Sequence, residues 1–318
     1  MTPLCFHVFA SGGSPVAQAI AQHANFTAFV FVPNLCNADC PFCYVHPTFA
    51  RKARASTAVL SRAAITAEAL SKLGFEEVRF TGGEPTLFSN LDRLIEPFWS
   101  HGMRYRVLTN GIDIDDHLSF FREKAPERFT ISVHDTVSPE SIFRVPIDAD
   151  AWTQNRRKLA DIAEVEATLV IQDAALEWNQ ADHVLNDLEI DGVKHIKVIL
   201  ENSRQGRDYR SFERLARELT DKWSSRFLTL RFTDTNNWGC RLPDKAFPAI
   251  DLGRSAIFAC CVQVGDRTVP AGYSDELPSD VISAMVKLTS VIERSREMRP
   301  LTLPCEAGTL FCPLGLAQ

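Results

Sequence analysis

Three thiols in one short segment carry the most distinctive chemistry of this chain. Cys36, Cys40 and Cys43 stand in NLCNADCPFCY with C-x3-C-x2-C spacing. Iron–sulfur clusters are normally held by four cysteine thiolates, so a triplet supplies three ligands and leaves one position to an exchangeable group. Adding the nearby His46 gives instead the Cys3His set of a structural zinc site. Both readings stand on the triplet alone. A second polar turn follows in EEVRFTGGEPTLF, where Gly82, Gly83, Glu84 and Pro85 succeed the predicted apolar strand 78–81. Adjacent glycines at a strand end give a ligand room to approach the backbone. Glu84 offers a carboxylate to a ligand ammonium, and Pro85 fixes the local turn.

Together the triplet and GGEP resemble the radical S-adenosylmethionine (SAM) superfamily, and the resemblance covers roughly residues 26 to 202. In that family the triplet binds a [4Fe-4S] cluster, and SAM chelates the open iron through its amino and carboxylate groups. The resemblance therefore implies Cys36, Cys40 and Cys43 as cluster ligands, with Gly82, Gly83, Glu84 and Pro85 at the SAM amino group. It sets Phe42, just before the third cysteine, near the adenine. YRVLTNG (residues 105–111) and FTISVHD (residues 129–135) resemble the family's third and fourth strands. They imply Ser132 at the SAM ribose, and Thr109, Asn110 and His134 as further cofactor contacts. As a single residue, His134 reads equally as a structural histidine.

The elements that must position these residues alternate. FTAFVFV (26–32) is continuously apolar, as a strand covered on both faces should be. Leu91, Leu94, Ile95, Phe98 and Trp99 recur at helical spacing after GGEP. Further strands are predicted at 105–108, 129–133, 167–171 and 195–200, with helices between most of them. Strands alternating with helices predict a parallel sheet with right-handed crossovers. The predicted class is α/β, a partial (β/α)6 TIM-type barrel of the kind the resemblance implies, with ligands at the carboxyl ends of the strands. Residues 1–25 form an N-terminal extension, whose ASGGSP lacks the preceding strand and Lys-Ser/Thr pair of a phosphate loop. The barrel takes 26–205, and a polar linker at 201–208 leads out of it. A barrel-edge helix and strand occupy 206–235, with Phe212, Leu215, Ala216, Leu219 and Trp223 as the helix's apolar stripe.

Residues 236–318 hold Cys240, Cys260, Cys261, Cys305 and Cys312. Five buried structural cysteines there would be unusual; four thiolates make a second cluster or a closed zinc site. The layout resembles the Twitch subdomain, a β-hairpin plus helix carrying one auxiliary [4Fe-4S] cluster. That likeness implies a hairpin at 262–272 turning at Gly265-Asp266, a helix at 282–294, and Cys240, Cys261, Cys305 and Cys312 as ligands. Cys260 and Cys261 are exchangeable in this reading, and the thiol left over is a candidate hydrogen-atom donor. Ala271 stands where the longer SPASM extension commonly has a cysteine, so one auxiliary cluster is expected rather than two.

The chain has 318 residues, a net charge of −6 and 45% apolar residues. That balance offers no broad electrostatic footprint for nucleic acid. No apolar run approaches a membrane span, no signal pattern opens the sequence, and a cytoplasmic location is expected. Nine cysteines in such a chain read as ligands or reactive thiols rather than disulfides. The resemblance implies reductive cleavage of SAM to a 5′-deoxyadenosyl radical, fed by an electron donor such as flavodoxin or ferredoxin. Hydrogen abstraction from the substrate then leads to oxidation or epimerisation. Only 35 residues precede Cys36, too few for a peptide-recognition domain. The expected substrate is therefore a small metabolite, such as a sugar alcohol or aminoglycoside-like intermediate, ahead of a peptide.

Overall fold

The computed structural model describes residues 26–43, 45–171, 178–200, 209–232, 248–258, 271–272 and 277–285. The expected alternation is present. Strand β1 (Thr27–Phe31) leads through two short strands, β2 (Leu35–Cys36) and β3 (Thr48–Phe49), into helix α1 (Thr57–Lys72). Then come β4 (Glu77–Thr81), α2 (Leu91–Ser100), β5 (Arg104–Thr109), α3 (Leu118–Glu123) and β6 (Arg128–Ser132). Helices α4 (Pro139–Phe143) and α5 (Ala149–Ala160) precede β7 (Glu164–Ile171). The series ends in α6 (Trp178–Ile190), β8 (His195–Leu200), α7 (Tyr209–Trp223) and β9 (Thr229–Phe232).

Strands β1, β4, β5, β6, β7, β8 and β9 lie side by side in chain order, all parallel. The order never reverses, so the sheet is wound in one direction, as in a barrel, rather than doubly wound about a switch point. Period-2 alternation sorts its side chains. Val78, Phe80, Tyr105, Val107, Phe129, Ile131, Ile196 and Val198 are buried on one face. The helices pack there: Phe98 of α2 meets Phe80 edge-on with ring centroids 5.2 Å apart, and Phe121 of α3 meets Phe129 at 5.0 Å. The opposite face is polar. Arg79, Arg106 and Arg128 are register neighbours on it. Glu77 accepts from Arg79 at 2.6 Å and from Arg106 at 3.1 Å, while Glu164 accepts from Arg128 at 2.6 Å.

The described C-terminal strands join the main sheet. After β9 the chain supplies β10 (Ala249–Asp251), which joins the other edge of the same sheet, parallel to β1. Antiparallel β11 (Ala256–Phe258) and β12 (Ala271–Gly272) follow it outward. An edge strand left open is a liability, and β10 covers the one β1 would otherwise present. Ala256 pairs with Gly272 and Ile257 with Ala271, in keeping with a hairpin; its expected turn at Gly265-Asp266 lies outside the described residues. The expected helix at 282–294 begins earlier, running over 278–285 within the described residues.

Candidate active site

The cysteine segment leaves the C-terminal end of β1. Cys36 sits in β2, whose pairing with β3 sets Leu35 opposite Thr48 and Cys36 opposite Phe49. The Cys36 carbonyl accepts from the Ala50 amide at 2.8 Å, so the loop that carries Cys40 and Cys43 is closed at its base. Within the loop the Cys43 amide donates to the Cys40 carbonyl at 3.1 Å, and the Asp39 amide reaches the Phe143 carbonyl of α4 at 2.8 Å. All three thiols are free.

GGEP, at the end of β4, is packed directly against this loop. A Cβ on Gly83 would lie 1.9 Å from the Leu35 carbonyl oxygen, and one on Gly82 (φ +128°) 2.7 Å from that of Val32. The Glu84 amide donates to the Leu35 carbonyl at 2.7 Å. The side-chain direction at both glycines is therefore filled by the chain itself, which lets the GGEP turn and the cysteine loop touch backbone to backbone.

Glu84 is buried, and its carboxylate ties strand ends together. Oε1 accepts from the Thr86 amide (3.0 Å), the Thr86 hydroxyl (2.8 Å) and the Thr109 hydroxyl (2.7 Å), while Oε2 accepts from the Asn110 amide (2.7 Å). A carboxylate has about four acceptor sites, two on each oxygen. Only Oε2 keeps capacity for an ammonium, and the rest of the group braces β4 against β5. Burial raises the Glu84 carboxyl above its ordinary value, against the pull of the Asn110, Thr109 and Thr86 donors. Pro85 opens the short 3-10 turn Pro85–Leu87 that Glu84 caps.

Asn110 links the two motifs. Its side-chain amide donates to Asn37 Oδ1, between the first two cysteines, at 2.7 Å. Its carbonyl accepts from Trp152 Nε1 of α5 at 2.8 Å. Asn155, one turn on, donates to the carbonyls of Gly111 and Ile112 at 3.1 Å each. Asn37, Trp152 and Asn155 were not singled out in the sequence, since no local pattern marks a side chain that grips another strand's turn.

Phe42 and His134 meet edge-on, with ring centroids 4.7 Å apart, which joins the cysteine loop to the end of β6. His134 Nδ1 accepts from the Val170 amide at 3.0 Å. Burial pushes its pKa down to about 3, so the ring is neutral and its proton sits on Nε2. Ser132 ends β6, half-buried, with Thr168 as its register neighbour. The site residues expected from residue 36 to residue 134 thus come together at one end of the sheet. Cys240, Cys260, Cys261, Cys305 and Cys312 lie outside the described residues.

The thiols themselves test the fit to a cluster. Burial pushes the Cys36 and Cys40 thiols up to about 12 each. Glu84 and then Cys43 add to the effect at Cys36, and Cys43 and then Cys36 add to it at Cys40. Groups that raise one another's pKa in this way face a common space, and they become thiolates when a metal centre supplies positive charge. Among the described residues no three His, Cys, Asp or Glu side chains close to the distance of a single metal ion. A four-iron cluster is wider than one ion and is normally held by four thiolates, so three free thiols in one loop fit that donor set by their chemistry.

Residues 30–164 match the Radical SAM superfamily model. The chain carries a radical SAM domain. Among curated relatives, a GTP 3′,8-cyclase of Aquifex aeolicus is 39% identical over 72 residues, 22% of each chain. A probable GTP 3′,8-cyclase of Pyrobaculum aerophilum is 24% identical over 148 residues, 46% of this chain and 47% of its own. The chain thus aligns with less than half the length of these relatives. Among solved structures, Streptococcus suis SuiB bound to its precursor peptide SuiA gives a TM-score of 0.68 at 15% identity, covering 91% of this chain and 73% of SuiB. The structure of anSMEcpe with bound AdoMet gives 0.60 at 14%, covering 88% of both chains. At such identities the likeness is one of fold, and it assigns the one-way parallel sheet to the radical SAM partial barrel. The family implies a [4Fe-4S] cluster and SAM.

Proposed function

We propose that this chain is a radical SAM enzyme acting on a small metabolite, by oxidation or epimerisation at a carbon centre. The observation that carries the proposal is the thiol ledge of Cys36, Cys40 and Cys43, packed against GGEP at the C-terminal ends of the strands. When bound, cluster and SAM supply a one-electron cleavage whose 5′-deoxyadenosyl radical abstracts a hydrogen atom from carbon. The protein's part is orientation and exclusion of water. Phe42 and His134 offer an apolar wall for the adenine, and Ser132 a hydroxyl for the ribose. Glu84 Oε2, which accepts only the Asn110 amide among the described residues, would have capacity left for the ammonium. The proposed electron donor is a flavodoxin or ferredoxin and the proposed location the cytoplasm; no helix among the described residues is long and apolar enough to cross a membrane.

Anaerobic reconstitution followed by strong reductant in the presence of SAM tests the reading. The wild-type protein should bind iron and sulfide and release 5′-deoxyadenosine, and Cys36→Ala, Cys40→Ala and Cys43→Ala should each abolish release. Zinc without iron would overturn it. About eight irons per chain would support an auxiliary cluster at Cys240, Cys261, Cys305 and Cys312, since each cluster holds four. Turnover in heavy water separates the two outcomes. Deuterium at an inverted centre supports a thiol donor at Cys260 or Cys261, and a product short of two electrons supports oxidation. A second reading, maturation of a peptide, draws on the fold shared with SuiB, whose structure holds a precursor peptide. The cyclase relatives add a nucleotide substrate to the assay panel.

A further inference from the structure

Between Cys40 and Ala67 the sequence holds no carboxylate, yet it carries Arg51, Lys52, Arg54 and Arg62, in a chain whose net charge is −6. Arg62 is committed to the fold. Its Nη1 donates to the carbonyls of Leu252 and Gly253 at 3.0 and 3.1 Å, in the turn after β10. The other three are exposed. Lys52 meets Asp116 at 3.7 Å with both side chains mostly in solvent, where an ion pair contributes little. Arg51 and Arg54 have no carboxylate at ion-pair distance among the described residues. A run of like charge is ordinarily just a solvated surface. Position and rigidity set this one apart.

The run starts beside the thiols. Phe49 is the register partner of Cys36 and is 52% exposed, and the next amide, that of Ala50, is bonded to the Cys36 carbonyl. Further along, the Ala53 amide donates to the Leu87 carbonyl at 3.0 Å, and the Ala53 carbonyl accepts from the Ser89 amide at 2.9 Å. Ala55 exchanges two hydrogen bonds with the Asn90 side chain, at 2.8 and 3.0 Å. The backbone in between is thus fixed to the cysteine loop on one flank and to the turn that follows GGEP on the other. Cations on a fixed backbone present one charge pattern to a partner, and little ordering is lost when it docks. An exposed aromatic ring among arginines also matches the residue types enriched at interface centres.

We infer that Phe49, Arg51, Lys52 and Arg54 form the docking surface for a small acidic electron-donor protein. The inference rests on the radical SAM reading and adds to it the place where the donor sits. The donor's own redox centre is oxidised by one electron, the centre held by Cys36, Cys40 and Cys43 is reduced by one, and no bond forms between the proteins. Opposite charge raises the rate of such encounters more than their lifetime. Reduced flavodoxin and reduced plant-type ferredoxin, both acidic, are the probes, with release of 5′-deoxyadenosine as the readout. Dithionite, which needs no docking surface, is the reference reductant. Arg51→Glu/Arg54→Glu should raise the donor concentration for half-maximal release by about tenfold or more, and high salt should erase most of that difference. Its release with dithionite should equal that of wild type. Arg51→Lys/Arg54→Lys should behave as wild type. Arg214→Glu/Arg217→Glu, the same change of charge at exposed positions of α7, should leave the donor dependence unaltered. Equal donor dependence in wild type and Arg51→Glu/Arg54→Glu overturns the inference, as does a wild type that runs on dithionite but draws on neither donor. Displacement of the donor by an equal concentration of polynucleotide marks a nucleic-acid surface instead, and overturns it too. A protein that binds no iron and releases nothing even with dithionite sinks the radical SAM reading; the other failures sink the docking surface alone.

Discussion

A methyl group at Gly83 has nowhere to go, because the Leu35 backbone already fills its place. Gly83→Ala must therefore push the cysteine loop off the GGEP turn. Overpacking costs about 1–3 kcal/mol, and a backbone clash belongs at the top of that range. The expected result is a lowered Tm with a marked fall in iron bound per chain. His134 gives a prediction in pH. Its ring is held down to about 3 from 6.5, so between those values the unfolded chain takes up a proton that the folded chain refuses. Stability is complete above about pH 6.5 and is lost as pH falls towards 3. In urea unfolding near pH 5, His134→Gln should remove about one proton from the uptake, or about 1.4 kcal/mol per pH unit of slope. At this scale the sequence was informative about residue types and silent about neighbours. Gly82 and Gly83 read as room for a ligand, and the structure adds that their side-chain direction is filled. What fills the space is a segment some 48 residues earlier, and local pattern carries no information about that.

Between residue and fold, α5 acts as the clasp on the turn after β5. Trp152 and Asn155 hold three successive carbonyls, and the Arg156 guanidinium stacks over the Trp152 ring at 4.4 Å while pairing with buried Asp191 at 2.7 Å. Trp152→Phe keeps the ring and deletes the indole N–H, leaving the Asn110 carbonyl without its donor. A loss of about 1–3 kcal/mol is expected, measurable by denaturant unfolding, with amide exchange quickening at Asn110 and Gly111. The main strands were legible because burial on one face against helices imposes an alternation that survives in composition. Strands β2, β3 and β10 were not. They are two or three residues long, shorter than any period, and only a distant partner makes them strands.

For the molecule as a whole, the β1 edge is what sequence reading left unassigned. Ile250 is fully buried at the centre of β10. Ile250→Ala should cost about 2–5 kcal/mol, and hydrogen exchange along β1 should accelerate with it; unchanged protection of β1 would show that β10 contributes nothing to the barrel's closure. A chain leaving one side of a sheet and returning to the other leaves no mark in composition.

The pairing of Phe29 with Ala249 also sets a clock. About 220 residues must leave the ribosome between them, which takes roughly 10 to 45 s at ordinary rates of synthesis. For that interval the strand that bears the cysteine loop has no mate on one flank. Cluster insertion into a settled loop thus belongs after translation has passed residue 251, and a nascent chain halted before that point should be a poor recipient of iron.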